Sequence, residues 1–209
     1  MVRYGTGGRC PFFMNPREQQ EIRRQMRAAR RALSRQDLDI AGARLARNLQ
    51  SLPAYRRART IGAYLAVGGE MPLQPLILDA WTHGKHVYLP RLRDAHLDFH
   101  RYTADTRLRR NRFGIAEPAV TAHSRINPRF IDVVLVPLVA FDDQGNRLGM
   151  GGGFYDRSFA FLHDRRCWRR PLLIGIAHEF QHLPALDPAP WDVPLHAAVT
   201  DEQVRWFRN

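Results

Sequence analysis

The chain has 209 residues, 44% of them hydrophobic, so it is long enough for one domain with a substantial core and is not disordered as a whole. It has no run of about 18 apolar residues, which excludes a transmembrane helix. Its net charge of +12 suggests polyanionic partners, but Lys85 is the only lysine and the arginines are spread along the whole chain. Charge alone therefore does not choose between nucleic acid and small anions.

The opening segment, MVRYGTGGRCPFFMNP, lacks the apolar core and cleavage site of a secretory signal. We predict that residues 1–15 are an extension or a disordered segment and that residues 16–209 form a single domain. The two cysteines, Cys10 and Cys167, cannot form a disulfide framework, so a cytoplasmic location is expected.

Two helices are predicted at the start of the domain. Residues 16–33 contain good helix formers and a proline near the first turn, and we expect one narrow apolar face to be buried while arginines cover the rest. The apolar residues at helical spacing are Ile22, Met26, Ala29 and Leu33. A second helix is predicted over residues 36–49 and is expected to stop at Pro53.

Short strands then alternate with helices. Strands are predicted over residues 60–67, 85–92, 97–103, 132–141 and 171–180, and helices over residues 72–84 and 155–164. The alternating pattern of residues 97–103 suits an antiparallel or edge strand, whereas residues 132–141 are apolar throughout and suit the sheet centre, ending or bending at Pro137. The order of elements predicts an α/β domain with a mostly parallel sheet.

A glycine-rich loop, RLGMGGGFYDR, follows the most apolar strand and precedes a predicted helix. Bare backbone in that setting can approach a phosphate closely, although neither G-x-x-x-x-G-K-[ST] nor G-x-G-x-x-G fits the sequence. A tight turn between strand and helix is the alternative. Arg147, Tyr155, Asp156 and Arg157 crowd the same loop, and a carboxylate beside bare amides favours a complex of Mg²⁺ with phosphate.

A competing motif, His178-Glu-Phe-Gln-His182, matches the zinc peptidase pattern H-E-x-x-H, with Glu179 as base and Glu202 as a possible third ligand. That pattern requires a helix. Here it follows a β-like run and precedes Pro184, so the two rings are not expected to converge on one metal. A zinc metallopeptidase and a basic nucleic-acid-binding protein remain the alternative functions.

The longer stretch VPLVAFDDQGNRLGMGGGFYDR resembles the 5-formyltetrahydrofolate cyclo-ligases, also called 5,10-methenyltetrahydrofolate synthetases. Weaker matches extend the resemblance from about Arg17 onward: RRALS, AYLAVGGEMPLQPLI, VYLPRL, RFGIAEP, GIAHEFQ and PWDVPL. The resemblance implies a single-domain, three-layer Rossmann-like fold similar to the sugar-isomerase and CoA-transferase type. It also implies an active site at the carboxyl ends of the strands, closed by the first helix.

The same resemblance implies an enzyme that uses ATP and Mg²⁺ to convert 5-formyltetrahydrofolate to 5,10-methenyltetrahydrofolate, with release of ADP and phosphate. Polyglutamylated forms of the substrate are included in this expectation. Phosphorylation of the formyl oxygen would let N10 of the folate close the ring and expel phosphate. Such chemistry depends on positioning and charge stabilisation more than on a protein nucleophile. A monomer with no nucleic-acid or membrane partner is expected.

By position, the resemblance assigns Arg147 and Tyr155 as catalytic residues and Asp156 and Asp192 as Mg²⁺ ligands. The nucleotide-binding residues it implies are Arg23, Arg147, Gly149, Met150, Gly151, Gly152, Gly153, Phe154 and Tyr155. The folate-binding residues it implies are Glu70, Met150, Gly152 and Phe154.

Three positions depart from the family pattern: Gln19 stands where a lysine is common, His196 where many relatives carry a second acid, and Phe154 where tyrosine is more usual. Without the resemblance, Glu70 could equally be an ordinary loop carboxylate and Asp192 a helix or turn cap. From the charge pattern alone, one more solvated arginine is the favoured interpretation of Arg23.

Overall fold

This computed structural model describes residues 15–119, 124–164 and 170–207. The helices are α1 (Pro16–Ala32), α2 (Arg35–Gln50), α3 (Pro53–Arg57), α4 (Gln74–Thr82) and α5 (Phe154–Phe159). Apart from Asn15, the predicted extension over residues 1–15 lies outside the described residues, as do both cysteines. None of the described helices is long and apolar enough to cross a membrane.

The strands are short and numerous. They are β1 (Thr60–Gly62), β2 (His86–Arg93), β3 (His96–Tyr102), β4 (Leu108–Arg110), β5 (Ala116–Pro118), β6 (Arg125–Ile126), β7 (Val133–Pro137), β8 (Ala140–Phe141), β9 (Arg147–Leu148), β10 (Leu172–Ile176), β11 (Ala197–Val199) and β12 (Val204–Trp206). Single turns of 3₁₀ helix cover Pro128–Phe130, Ala160–His163 and Glu179–Gln181.

The main sheet runs in the order β12-β11-β10-β7-β1-β2-β3-β6. The pairings from β11 through β10, β7 and β1 to β2 are parallel, and antiparallel strands flank them on both sides. The expected mostly parallel sheet is therefore confirmed, with β7 near its centre and β3 antiparallel. Parallel strands end at a common edge, so the loops that follow β1 and β7 meet in space.

Both faces of this sheet are covered, which makes the fold three-layered as predicted. In β7, Val133 and Leu135 pack on one face with residues of α2, α3 and α4, while Val134 and Val136 pack on the other with Phe159 of α5. Successive side chains of a strand point to opposite faces, so a strand buried on both sides must be apolar throughout.

The two amino-terminal helices begin with capping boxes. Asn15 caps α1 together with Glu18, and Ser34 caps α2 together with Asp37. Each box satisfies free backbone N–H groups of the first turn, which explains why the helices begin at these residues. Pro53, predicted only to end the second helix, occupies the first turn of α3.

Three predicted strands are shorter in the structure. The first strand ends at Gly62 because the chain leaves the sheet for a turn over residues 67–70. The strand expected over residues 132–141 ends at Pro137 and resumes as β8, which pairs with β9. The last predicted strand gives way at His178 to a 3₁₀ turn.

The prediction for the buried face of α1 was partly wrong. Ile22, Met26 and Leu33 are half-buried, but Ala29 is exposed and Arg30 is the buried residue of the helix, with 3% of its surface accessible. Arg23 and Arg27 lie on the same inward face as Arg30. This face is polar because α1 lies across the carboxyl edge of the sheet, over a cavity.

Asp132, at the start of β7, is hydrogen-bonded to the backbone at the start of β1. Its Oδ2 accepts hydrogen bonds from the N–H groups of Arg59 (2.8 Å) and Thr60 (3.0 Å), and its Oδ1 accepts one from Arg170 (2.5 Å). Burial alone would raise the pKa of this carboxyl, but the hydrogen bonds and the Arg170 charge outweigh burial and lower it.

Replacing Asp132 with Ala is expected to lower the free energy of unfolding at pH 7 by about 1–3 kcal/mol, because two backbone donors lose their acceptor. A lowered pKa means that the stabilisation is present above the ordinary carboxyl pKa and is lost as the pH falls through the lower folded value. Denaturant unfolding from neutral to acid pH should show the two proteins converge. The exposed Asp39→Ala is the control, and an equal effect of both substitutions would contradict the role of Asp132.

Candidate active site

A cavity of about 1180 Å³ opens at the carboxyl edge of the parallel strands. The segments after β1 and β7, the glycine loop after β9, the segment 186–192 and the inward face of α1 all contribute to its wall. The topology therefore brings together residues that lie more than 100 positions apart, and it forms a cavity at the edge where the active site was expected.

The glycine loop presents bare backbone to this cavity. The amide N–H groups of residues 150–153 have no hydrogen-bond partner in the part of the chain that the structure describes. Arg23 Nε donates to the carbonyl of Gly149 (2.8 Å), and Arg157 Nη2 donates to the carbonyl of Gly152 (2.6 Å). Two arginines thus engage the carbonyls of the loop and leave amide donors available for an anion.

Side chains could not replace hydrogens in the second half of this loop. A Cβ on Gly152 would lie 2.6 Å from the Phe154 ring, and a Cβ on Gly153, whose φ is +61°, would lie 2.6 Å from Arg157 Nη1. These glycines are needed for the close packing of the loop against its own flanking residues.

Arg147 and Asp156 form a half-buried ion pair at the base of the loop. Arg147 Nη2 lies 2.5 Å from Asp156 Oδ1, which also accepts the N–H of Val193 (3.1 Å), and Arg147 Nη1 donates to the carbonyl of Val193. The Arg147 side chain is only 5% exposed. Arg147 was predicted to contact phosphate, and the structure places its guanidinium where it orients Asp156.

Asp192 lies close enough to Asp156 for their charges to interact. Its Oδ2 accepts the N–H of Ala189 (2.8 Å), and its pKa is raised by burial and, secondarily, by the negative charge of Asp156. Neither Asp156 Oδ2 nor Asp192 Oδ1 has a hydrogen-bond partner among the described residues. Two neighbouring carboxylates with free oxygens fit a hard divalent cation such as Mg²⁺, which would relieve their repulsion.

Glu70 lies on a different wall of the cavity, at the end of the turn over residues 67–70. Its Oε2 accepts the N–H of Val67 (3.1 Å), and its Oε1 lies 3.7 Å from Arg30 Nη1. The Glu70 side chain is 12% exposed, and burial raises its pKa despite the nearby Arg30. A carboxylate in this position suits a ligand that donates hydrogen bonds.

Aromatic residues connect the two walls. Tyr155 stacks on Phe159 with ring centroids 6.2 Å apart. Burial raises the pKa of Tyr155, and the charges of Glu70 and Arg147 act on it in opposite directions, so Tyr155 is close enough to both residues for their charges to affect it. Phe154 meets the exposed Phe113 edge to face, with centroids 6.3 Å apart.

The H-E-x-x-H segment is not arranged as a metal site. His178 Nε2 contacts the carbonyl of Gly69 (3.1 Å), His182 Nε2 contacts Asp143 (2.8 Å), and Glu179 pairs with Arg205. Within residues 15–119, 124–164 and 170–207, no three His, Cys, Asp or Glu side chains form a group that could hold a metal ion. The zinc peptidase hypothesis therefore has no support.

Two of the three departures from the family pattern make side-chain hydrogen bonds. Gln19 Oε1 accepts a hydrogen bond from Arg23 Nη2 (3.3 Å), and His196 Nδ1 accepts one from the N–H of Leu173 (3.0 Å). Gln19 thus supports Arg23 at the cavity, while His196 binds the start of β10.

Sequence reasoning missed Arg30, Tyr64 and Phe113, all of which line the cavity. The spacing of Arg23, Arg27 and Arg30, three or four residues apart, predicts that they share one face of a helix. It does not predict that this face lies over a cavity, because exposed arginines occur at similar spacings around it.

Comparison with known proteins agrees with the geometry. A sequence model described as the 5-formyltetrahydrofolate cyclo-ligase family matches residues 15–201. The 5-formyltetrahydrofolate cyclo-ligase of Haemophilus influenzae is 36% identical over 87% of this chain and 97% of its own length, and that of Escherichia coli K12 is 37% identical over 86% and 98%.

A solved structure of Aquifex aeolicus 5,10-methenyltetrahydrofolate synthetase shares the fold, with a TM-score of 0.77 and 31% identity over 91% of this chain and 93% of that one. A second synthetase, from Mycoplasma pneumoniae, superposes with a TM-score of 0.69 at 24% identity, over 88% of this chain and 99% of its own. The second likeness concerns the fold alone.

Gly68 and Gly69, in the turn that carries Glu70, offer a matched test of how closely this turn packs against α1. Both have positive φ, so either Gly→Ala change costs about 1–2 kcal/mol of backbone strain. A Cβ on Gly69 would also lie 2.3 Å from the carbonyl oxygen of Arg30, whereas a Cβ on Gly68 would meet nothing within 4 Å. In denaturant unfolding, Gly69→Ala is expected to cost about 1–3 kcal/mol more than Gly68→Ala. Equal losses would contradict the close contact between the turn and α1.

Proposed function

The chain belongs to the 5-formyltetrahydrofolate cyclo-ligase family, and on that premise we propose that it is an enzyme that converts 5-formyltetrahydrofolate to 5,10-methenyltetrahydrofolate at the expense of ATP. The reaction forms a C–N bond between the formyl carbon and N10. Mg²⁺ is the proposed metal. The proposed substrate includes polyglutamylated forms, whose carboxylates the net positive charge of the chain would attract.

One observation carries this proposal: a single cavity joins the free amides of residues 150–153 and the Asp156–Asp192 pair to a wall that carries Glu70. The first two features suit a nucleotide phosphate with its metal. Glu70 and the aromatic residues around Tyr155 suit a planar heterocycle with hydrogen-bond donors. A cyclo-ligase must hold both ligands together.

The proposed reaction begins when the formyl oxygen attacks the γ-phosphorus of ATP and the bond to ADP breaks. N10 then attacks the formyl carbon and loses its proton, and the C–O bond breaks as phosphate departs. Activation is required because a formamide oxygen is a poor leaving group. Neither step needs a protein nucleophile, so the residues act by binding, orienting and stabilising charge.

We assign the amides of residues 150–153 and Arg23 to the phosphates, with Gly149 as the anchor of the loop. Asp156 and Asp192 are the residues that would hold Mg²⁺, which when bound would neutralise charge on the phosphate oxygens. Arg147 is proposed to act through Asp156, whose carboxylate it orients, and its predicted contact with phosphate stays a prediction.

On the folate side, Glu70 would accept hydrogen bonds from the heterocycle, and Phe154 and Met150 would border it. Tyr155 lies between the two ligands in this arrangement. We propose that its desolvated hydroxyl, which like any tyrosine hydroxyl is protonated at neutral pH, orients the reacting groups, and burial raises its pKa further. That protonated form can donate a hydrogen bond at neutral pH.

The first test is an absorbance assay of methenyltetrahydrofolate formed from 5-formyltetrahydrofolate. Product is expected when both ATP and Mg²⁺ are present, and omission of either, or chelation of the metal, should abolish it. Folded protein that forms no ATP-dependent product would refute the proposed function.

Asp156→Asn is expected to lower kcat by at least about 100-fold, because a neutral amide is a weak metal ligand and leaves the buried Arg147 side chain without its counter-charge. Activity should be titrated against Mg²⁺, with unfolding measured in parallel to establish that the variant is folded. Asp143→Asn is the matched control, since Asp143 pairs with His182 away from the cavity. Turnover of Asp156→Asn at the wild-type rate would remove Asp156 from the metal site.

A further inference from the structure

Arg30 is a buried cation whose hydrogen-bonding capacity is largely unused. Its accessible surface is 3%, and its Nε is buried with no hydrogen-bond partner among the described residues. Its Nη1 makes two long contacts, 3.4 Å to the carbonyl of Leu138 and 3.7 Å to Glu70 Oε1. A guanidinium has five N–H donors, so most of those on Arg30 remain available.

Leaving donors of a buried cation unpaired is costly, and a structural ion pair would be expected to satisfy more of them. Arg30 lines the cavity, so an acceptor on a bound ligand could reach its free N–H groups. The arrangement therefore indicates a binding residue that is completed by its ligand.

The surroundings of Arg30 are rigid. The carbonyl of Leu138 also accepts a hydrogen bond from Gln181 Nε2 (3.0 Å), and the backbone of Arg30 packs directly against Gly69. On the other side of that turn, His178 contacts the carbonyl of Gly69. The H-E-x-x-H segment, whose side chains are not arranged as a metal site, thus helps to hold the turn between Arg30 and Glu70 in place.

The negative charge of Glu70 limits which ligands Arg30 can bind. A carboxylate 3.7 Å away repels a phosphate, which makes the nucleotide an unsuitable ligand for this wall. A neutral ring that offers an N–H beside a carbonyl oxygen matches both members of the pair. The 2-amino-4-oxo edge of the folate pterin has that pattern.

We propose that Arg30 is a folate-binding residue that donates to the 4-oxo oxygen of the pterin while Glu70 accepts from the adjacent N–H groups. This inference rests on the proposed function, because it assigns the contact to that substrate. The pair would then recognise the lactam edge, since a 4-amino ring has no oxygen to accept from Arg30 and no N3–H to donate to Glu70.

The test compares Arg30→Met with Arg24→Met, a matched substitution at an exposed arginine of the same helix. Arg30→Met is expected to raise the KM for 5-formyltetrahydrofolate about 10- to 100-fold, as lost charged hydrogen bonds do. The KM for ATP should stay within about twofold of the wild-type value, and Arg24→Met should leave both constants unchanged.

A second measurement separates recognition from a structural role. The dissociation constants of 5-formyltetrahydrofolate and of its 4-amino analogue are measured for each protein. The wild type is expected to prefer the 4-oxo compound about 10-fold or more, and Arg30→Met to reduce that preference by at least about threefold, the remainder coming from Glu70. Partial unfolding alone would lower the affinity for both compounds equally. Should Arg30→Met fail to fold, Arg30→Lys, which keeps the charge but not the forked geometry, is compared in the same way.

An unchanged ratio between the two compounds in a folded Arg30 variant would overturn the inference, as would equal increases in both KM values. A wild-type enzyme that forms no methenyltetrahydrofolate would instead refute the proposed function. The two failures are therefore distinguishable.

Discussion

Helix α1 is held over the cavity mainly by polar contacts, and the geometry of the site depends on them. Near its first turns, Arg23 donates to the carbonyl of Gly149, and at its end the backbone of Arg30 packs against Gly69. One rigid helix thus contacts both the glycine loop and the turn that carries Glu70. At the cavity edge, Ile22 of α1 also packs against a small apolar cluster that includes Leu148. Displacement of α1 would therefore change the phosphate wall and the folate wall together.

Two carboxylates of the cavity, Asp156 and Glu70, have different surroundings. Asp156 is oriented by a buried arginine and a backbone amide, while one of its oxygens stays free. Glu70 is also partly buried, but its arginine is 3.7 Å away and its Oε2 accepts the N–H of Val67. The first arrangement leaves an oriented oxygen for a metal ion, and the second suits a hydrogen-bonding partner for a neutral ring. The same pair of residue types therefore supports two kinds of recognition in one cavity.

The two short motifs of this chain differed in how well they predicted a binding site. The glycine loop fits neither familiar phosphate-binding expression, yet it faces the cavity with free amides. The segment from His178 to His182 fits the zinc expression fully, but its side chains diverge. The difference lies in backbone conformation, because H-E-x-x-H requires an α-helix and this segment contains only one turn of 3₁₀ helix. A motif is informative only when the surrounding fold supplies the backbone that its chemistry requires.

The sequence by itself determined the α/β class, the parallel sheet with an apolar central strand, the end of that strand at Pro137 and the family to which the chain belongs. These features follow from local patterns: period-2 burial, proline, and the long stretch around RLGMGGGFYDR. Only the tertiary structure decided that Arg147 orients Asp156, that Arg30 is buried beside Glu70, and that His178 supports the turn at Gly69. These contacts join residues far apart in the chain. An arginine that faces solvent and one that faces a cavity have the same local sequence pattern, so only the packing of α1 across the sheet distinguishes them.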